Sequence, residues 1–545
     1  MHRLEQLAAH RGWKQALLTA VVFAVLAARV PNLWLAGEFV AEDGWSFFAT
    51  AWNHRFPGSL LIPSGGYLQV LPRLLAELWS SLPIPQQPYA CALGGLALNS
   101  GLLVIFYLPA FRSLLASDLA RLGVVALLAV APNASNLGLP LGLHWYLAFG
   151  LMLCLLAPGP VTRSGNLAWA AFAILCATSS PSTFVLAPIV LWLWWRDRKP
   201  ADGLRFVTVL LALLAAAVIA VAARPLELGK TGDFQLLDLA VALPPLLLRG
   251  WLATALLGPP LTAWLATHAP GLADVFGATL FITLGLWLWR QRAQPAARTV
   301  AVLLSAGLMM SLLSLTRTAY VVQLASSPLP EHDRYLTAPT LLLYVALAVI
   351  AASLGARARR WALGGFTVTV VLLATALPTA THWSRPVERY RLRAAVPAIE
   401  RMVAQYARDG LPASLYIPAD IPYWGPVLEV GGGRFVPAAA GPVAALEAQR
   451  QPDDSYRSWV GQFTLDAESG WLNHELLGRI QFAGIEQGRA FFRDTGSRTI
   501  FTSPLLHPCF WVLKDYQWTL LEPPPKRPNQ SVTNQRQAAG IAAEL

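Results

Sequence analysis

Two adjacent acidic residues, Glu42 and Asp43, lie in the first polar segment after the first long apolar run of the chain. Burial of an ionised carboxylate is costly, so acids at a membrane boundary are either solvated or functional. Aromatic residues surround the pair, which indicates an amphipathic loop that lies against the membrane surface. A solvated loop end is the alternative. The aromatic neighbours are Phe39, Trp45, Phe47 and Phe48.

A second group of ionisable residues lies late in the chain, where an apolar run begins at Leu336. An arginine presents a planar fork of donors that suits a phosphate, and a histidine or tyrosine can add further hydrogen bonds. The group is therefore a candidate phosphate clamp, with an ordinary polar helix start as the alternative. Its members are Glu331, His332, Asp333, Arg334 and Tyr335.

The composition is that of a multi-span membrane protein. Of 545 residues, 55% are hydrophobic and only 13% are charged, whereas a soluble protein carries about 25% charged residues. The first apolar run, 16–36, is too long for a signal-peptide core and is predicted to be a retained helix. The net charge of +11 does not indicate nucleic acid, because most basic residues before 380 lie in short loops that set orientation.

Basic clusters mark the cytoplasmic side and predict about eleven transmembrane helices, with the N-terminus inside and the chain after about residue 382 outside. Residues 236–267 contain proline pairs and Arg249, and we expect membrane-surface helices there, with zero or two crossings. Four arginines between 385 and 393 argue against this orientation, because they would lie outside. The basic residues of several internal loops favour it, and we therefore keep it. The predicted spans are 15–36, 88–111, 121–132, 143–157, 167–180, 183–195, 206–223, 271–289, 299–316, 336–355 and 361–381.

Two of the predicted hairpins, 121–157 and 167–195, are short, since one full span needs about 20 residues. Their turns, 133–143 and 179–183, should therefore lie below the outer membrane surface. Irregular backbone is tolerated at that depth only where it is buried in protein or lines a wet cavity. We expect a cavity open to the outside, near His144; tilted packing without a cavity is the alternative.

The chain divides into three predicted parts. Residues 1–381 form the transmembrane module, and within it 37–87 form a long external loop with a surface helix over 68–82. Residues 382–521 have more charge and short mixed runs, which predicts an extracytoplasmic soluble domain of α/β or mainly β type. The tail, 522–545, is rich in Pro, Gln and Asn and is predicted to be disordered.

The acid pair after the first span, the long first external loop and the short hairpins resemble GT-C-fold glycosyltransferases. The resemblance implies transfer of a sugar from a polyprenyl-phosphate donor to a glycan, lipid or protein acceptor outside the bacterial inner membrane. It also implies an inverting displacement in which an acid of the first external loop acts as general base. Asp43 is the first choice for that base, because Gly44 and Trp45 follow it, and Glu42 is the alternative.

The same resemblance places a basic residue in a late external loop on the donor phosphate. That role falls to Arg334, with Arg317 or His332 as alternatives, while His144 either assists the donor or is a polar helix cap. Tyr335 and Asp333 complete the predicted substrate-binding group. No cofactor is required, although a divalent cation could assist the leaving phosphate.

Two other functions remain open from the sequence. A polymerase or ligase of lipid-linked glycans also has many spans, but such enzymes usually carry a large central external loop rich in arginine. A lipid or glycan transporter, or flippase, predicts ionisable residues at mid-membrane and internal pseudo-symmetry. The sequence shows neither feature clearly.

The eleven-span prediction places the segments 37–87, 317–335 and 382–545 on the same, external side. Reporter fusions at Gly65, Ser327 and Gly470 test it, and we expect all three to give the periplasmic signal. A cytoplasmic signal at any of these positions would rule out the predicted orientation.

Overall fold

The structure is a computed structural model, and the chain is described over most of its helical part. The described residues are 2–37, 39–40, 43–54, 56–62, 68–83, 86–132, 137–158, 162–197, 200–222, 236–269, 271–316 and 333–376, together with ten short strands after residue 412. The predicted disordered tail and the predicted domain boundary at 381 lie outside the described residues.

The described part before residue 377 is helical. Its α-helices, in chain order, are α1 His2–Arg29, α2 Pro31–Ala36, α3 Ala49–His54, α4 Val70–Ser80, α5 Gln87–Val104, α6 Asp118–Ala129, α7 Leu143–Leu156, α8 Arg163–Ser179, α9 Ala187–Asp197, α10 Pro200–Ala222, α11 Leu236–Pro245, α12 Thr254–His268, α13 Leu272–Gln291, α14 Pro295–Thr316, α15 Asp333–Ser353 and α16 Ala356–Ala376. Two π-helices, Asp43–Phe48 and Leu246–Ala253, and the 3-10 helices Gly58–Leu61, Ile105–Tyr107, Pro109–Ser113 and Pro181–Leu186 complete the set.

Six helical stretches among the described residues are long and apolar enough to cross a membrane, or seven if a bent pair counts as one span. This agrees with the predicted multi-pass helical membrane protein, whereas the count of eleven and the orientation stay predictions. The six stretches are Gly12–Arg29, Gln87–Tyr107, Ala240–His268, Leu272–Gln291, Pro295–Ser314 and Tyr335–Ser353.

Residues 236–268 form a helical stretch, and their predicted position on the membrane surface, with zero or two crossings, stays a prediction. The chain stays helical through Pro244 and Pro245, and a π-helix follows them directly. A widened turn of this kind can re-satisfy backbone groups that a proline leaves without a partner. The helix breaks only at Gly258, whose φ of 77° favours glycine. As a result, Ala240–His268 is a 29-residue candidate span by length and composition.

The first predicted span is also divided, because α1 ends at Arg29 and α2 begins at Pro31. Proline has no N–H, so it cannot donate to the carbonyl four residues earlier, on Ala27. That carbonyl instead accepts from the Trp34 indole Nε1 at 3.0 Å and from the Val30 backbone N at 3.3 Å. The break therefore leaves no unsatisfied acceptor at Ala27.

The described chain forms two compact units. Unit 1 comprises 1–34, 60–74 and 92–385, and unit 2 comprises 35–59, 75–91 and 386–545. In unit 1, helix α15 is the central helix: 72% of its span is buried, against 17% for α13, and it packs against α14, α7 and α6. The large apolar side chains that remain exposed, such as those of Phe281 and Leu286, are typical of a lipid-facing surface.

In unit 1, the described residues of the two short hairpin turns, 137–143 and 179–183, are largely buried. Leu137 and Leu139 have almost no exposed surface, and the hydroxyl-bearing residues of the second turn, 179–183, are equally buried. In that second turn the axes of Arg163–Ser179 and Pro181–Arg196 are bent by 114°. The predicted burial of irregular backbone is thus met by protein packing, and the predicted cavity stays a prediction.

Helix α5 contacts the first of these turns through Gly95 and Asn99. The side-chain Oδ1 of Asn99 accepts a hydrogen bond from the Gly138 backbone N at 3.0 Å. Gly138 has a φ of 72°, and a Cβ added to Gly95 would lie 2.4 Å from the Gly138 carbonyl oxygen. Only glycine at position 95 permits this backbone approach, as is common where helices pack inside membranes.

Unit 2 contains the ten described strands after residue 412. Strands β10, β9, β1 and β2 form one antiparallel sheet in that order, and β3 to β8 pair successively, with β8 returning to β3. Whether the C-terminal domain is α/β or mainly β stays a prediction. The strands are β1 Ala413–Tyr416, β2 Val427–Val430, β3 Pro442–Arg450, β4 Tyr456–Ser458, β5 Gly461–Asp466, β6 Trp471–His474, β7 Gly478–Glu486, β8 Arg489–Arg493, β9 Trp511–Lys514 and β10 Gln517–Leu520.

Gly95→Ala tests the close approach of α5 to the turn at Gly138. The added methyl group must displace backbone, so we expect a loss of about 1–3 kcal/mol of stability, measured as a lower thermal unfolding midpoint in detergent. Gly101→Ala in the same helix is the matched control, because nothing lies within 4 Å of its added Cβ. The control should unfold at the wild-type temperature or slightly above it, since alanine favours helix. Equal midpoints for both variants would contradict the close approach.

Candidate functional site

Asp43, the predicted base, begins the π-helix Asp43–Phe48 in unit 2. Its backbone N donates to the Val40 carbonyl at 3.1 Å, and the side chain is buried, with only 3% of the residue exposed. π-turns occur frequently at functional sites, because the extra residue redirects side chains away from the regular helical positions. A charged carboxylate at this position must be stabilised by protein groups or a ligand rather than by bulk water.

Three aromatic neighbours of Asp43, namely Phe39, Phe47 and Phe48, are buried in the protein, and the position of this loop against the membrane surface stays a prediction. The rings of Phe39 and Phe48 stack with centroids 4.8 Å apart, and Trp52 meets Phe48 edge-on at 6.0 Å. Phe39, Phe47 and Phe48 are each at most 2% exposed. The stacked pair and the edge-on contact account for part of this burial.

Tight packing extends to the residue that precedes the acidic segment. Gly37 has a φ of 66°, and a Cβ added to it would lie 2.3 Å from the Tyr89 ring. Gly37 and Tyr89 thus pack closely against each other within unit 2, the unit that contains Asp43.

The late polar group begins helix α15 in unit 1. The helix starts at Asp333, so Arg334 and Tyr335 belong to its first turn. Tyr335 is half-buried, and its ring meets the ring of Trp145 edge-on, with centroids 6.1 Å apart. Since Trp145 is in the first turn of α7, the N-terminal turns of α7 and α15 lie beside each other.

His144 belongs to the same contact between the first turns of α7 and α15, which we call the α7–α15 junction. It is buried, its ring lies 4.4 Å from that of Trp145, and its Nδ1 is hydrogen-bonded to the Leu141 carbonyl oxygen. The structure therefore brings together two predicted substrate-binding residues, His144 and Tyr335, from distant parts of the sequence. Backbone N–H groups at helix N-termini carry partial positive charge, so two adjoining first turns favour an anion.

The other predicted site residues lie outside the described part of the structure. Glu42, His332 and Arg317 are not described, and of Asp333 and Arg334 only the helical backbone is described. Their roles stay predictions. Asp43 is in unit 2 and the α7–α15 junction is in unit 1.

Sequence reasoning missed buried arginines. Arg29 at the end of α1 donates to the carbonyls of Ala129 at 2.7 Å and Ala131 at 2.5 Å, and so caps the C-terminal end of α6. Arg121, at the start of the predicted span 121–132, is 1% exposed and donates to the Leu115 carbonyl and the Asp118 carboxylate. The signal that could have identified Arg29 is a lone basic residue inside an apolar run.

A third buried arginine, Arg73, lies in the first turn of α4. Burial lowers the pKa of its guanidinium to about 10, so the group is still charged at neutral pH. Its Nε donates to the Leu68 carbonyl at 3.0 Å.

Metal ligation was left open by the sequence. Within the described ranges, no three His, Cys, Asp or Glu residues lie close enough together to hold a metal ion. Comparison of the chain with protein-family models, curated proteins and solved structures gives no match. Function must therefore be argued from the residues and their geometry.

Proposed function

We propose that this chain is a membrane-embedded glycosyltransferase with a GT-C-like module of about eleven spans. It transfers a sugar from a polyprenyl-phosphate donor to a surface glycan, lipid or protein on the extracytoplasmic face of a bacterial inner membrane. The proposal rests on the burial of Asp43, which is only 3% exposed and lies in a π-turn soon after the first candidate span. Buried ionisable groups are common among catalytic residues.

The proposed reaction is a direct displacement at the anomeric carbon of the donor sugar. The acceptor hydroxyl oxygen attacks that carbon while the bond between the carbon and the phosphate oxygen breaks. The electron pair leaves with the polyprenyl phosphate, and the hydroxyl proton passes to the carboxylate of Asp43. An alcohol is a poor nucleophile, so a positioned base contributes a large part of the rate.

The leaving phosphate needs stabilisation of its developing negative charge. In the proposal, Arg334 supplies the charge from the first turn of α15, with Tyr335 and His144 beside it. Support comes from the α7–α15 junction, where the Tyr335 and Trp145 rings meet and two helix N-termini adjoin. Planar guanidinium geometry allows two parallel hydrogen bonds to one phosphate.

A lipid or glycan transporter is the second candidate, because one ion pair joins two apolar helical stretches. Arg249 in Ala240–His268 and Asp274 in Leu272–Gln291 have side-chain atoms 4.0 Å apart. Ionisable residues inside membrane helices mark substrate or ion paths as well as catalytic sites. The two functions differ in their need for Asp43 as a base, since transport involves no proton abstraction from an acceptor.

Asp43→Asn keeps the side-chain shape and removes the charge. We expect unchanged expression and donor-lipid binding, with a turnover lower by a factor of about 10²–10⁴. Turnover is measured in membranes of a knockout strain that carries the variant, supplied with labelled donor lipid extracted from the parent. Glu42→Gln is the matched control, with near-wild-type turnover. Full activity of both variants would exclude both acids as the base, whereas undiminished lipid export with no sugar transfer in any variant would favour the transporter.

Arg334→Ala should abolish turnover and weaken donor binding. Arg334→Lys should restore activity only in part, because lysine keeps the charge but lacks the planar fork. The control is Arg359→Ala, which removes an exposed arginine near the start of α16 and should leave turnover unchanged. If Arg334→Ala kept most of the activity in a correctly inserted protein, the phosphate contact would have to be reassigned to Arg317.

A further inference from the structure

The short turn that joins α13 to α14 carries three exposed arginines. Arg290 lies in the last turn of α13, Arg292 is the residue that ends this helix, and Arg298 lies in the first turn of α14. The backbone N of Gln294 donates to the Gln291 carbonyl at 2.8 Å and closes the turn. The three charges are therefore held at the same end of two consecutive candidate spans.

No acidic side chain nearby in the sequence neutralises this charge. The chain has no Asp or Glu between residues 275 and 330, and Asp274 belongs to the first turn of α13, at the opposite end of that helix. Among the described residues, no carboxylate lies within ion-pair distance of the three arginines. Arg298 is also close to a helix N-terminus, where the helix dipole disfavours a cation. An anion from outside the chain would stabilise all three side chains.

An exposed indole ring supports one of the guanidinium groups. The guanidinium carbon of Arg292 lies over the ring of Trp289, 5.1 Å from its centre, and Trp289 is 70% exposed. A cation–π contact of this kind still leaves a guanidinium with N–H donors for a phosphate. Exposed tryptophans next to basic residues are typical of the boundary between membrane and water.

The arginines lie at the end of an exposed apolar surface. Only 17% of the candidate span in α13 is buried, and one face of the helix forms an apolar stripe that runs up to Trp289. Acyl chains suit such a stripe, and a headgroup at its end would reach the arginines, because the candidate span ends at Gln291. The α13 stripe consists of Val275, Ile282, Leu286 and Trp289, each of which is more than half exposed.

We propose that the α13–α14 turn binds the headgroup phosphate of an anionic phospholipid, whose acyl chains lie along the α13 stripe. Arg290, Arg292 and Arg298 supply the positive charge and the N–H donors, and Trp289 positions Arg292. Three arginines without acids favour an anionic headgroup over a zwitterionic one, because a zwitterionic headgroup carries a cation of its own. The proposal is independent of sugar transfer, since none of these residues belongs to the Asp43 segment or to the α7–α15 junction.

The test is lipid binding by the purified full-length chain in a neutral detergent, measured by native mass spectrometry. Phosphatidylglycerol is the probe, and phosphatidylcholine with the same acyl chains is the zwitterionic control. We expect phosphatidylglycerol to bind at lower concentration than phosphatidylcholine. Each of the single variants should weaken phosphatidylglycerol binding by about 5-fold, and the triple variant by about 100-fold, with phosphatidylcholine binding unchanged. The single variants are Arg290→Gln, Arg292→Gln and Arg298→Gln.

Trp289→Ala removes the ring under Arg292. We expect it to weaken phosphatidylglycerol binding by about 2- to 5-fold, and Trp289→Phe should restore part of the loss because it keeps an aromatic face. Parental affinity in Trp289→Ala would remove Trp289 from the proposed site.

A second triple variant, at exposed arginines elsewhere in unit 1, is the matched control, because it removes the same total charge. It combines Arg112→Gln, Arg163→Gln and Arg359→Gln, and its affinity for phosphatidylglycerol should equal that of the parent. Equal weakening in both triple variants would overturn the proposal, because net charge alone would then explain the binding.

Three further outcomes would overturn it. They are equal binding of the two lipids by the parent, parental affinity in the triple variant of the α13–α14 turn, and a parent that forms a lipid-free dimer, which would assign the α13 stripe to a second copy of the chain. If the triple variant does not fold, the three single variants decide, and parental affinity in all of them overturns the proposal.

Discussion

Backbone hydrogen bonding in an apolar environment is the constraint on which this structure depends. Inside lipid or a dry core, each N–H and C=O that a helix break releases must find a partner within the protein. Several of the described breaks meet this demand with a side chain from another turn or another helix. The side chains of Trp34, Arg29 and Tyr344 donate to backbone carbonyls, which are those of Ala27, of Ala129 and Ala131, and of Ala255. The side chains of Asn99 and Ser179 accept from the backbone N of Gly138 and Leu71.

This requirement explains why polar residues gather at the irregular points of an otherwise apolar chain. Each break brings a hydroxyl, an amide or a guanidinium into the interior, and a group that is already buried there can be used for binding or catalysis at little extra cost in folding. Ser179 serves the backbone, whereas its neighbour Ser180 has no partner among the described residues. The same relation holds for the π-turn at Asp43, where irregular geometry and a buried acid coincide.

Helix α15 positions the residues of unit 1 that we propose bind the donor phosphate. It is the most deeply buried of the candidate spans, and its first turn lies beside that of α7. A central helix is difficult to displace, so groups at its first turn are held in position. That rigidity is what a phosphate-binding group requires, because donors that must reorganise on binding contribute less to stabilising a developing charge.

The sequence by itself determined the helical membrane class and most helix positions. These properties follow from the lengths of apolar runs and from local hydrogen bonds, and α7 begins at Leu143 as the pattern predicts. The tertiary structure alone decided that the chain stays helical through Pro244, that Asp43 enters a π-turn among buried rings, and that His144 lies near Tyr335. It also decided the burial of Arg29 and Arg73. The reason is physical: a helix is specified by residues within about four positions of each other, whereas the partner of a buried polar group comes from wherever packing brings another segment.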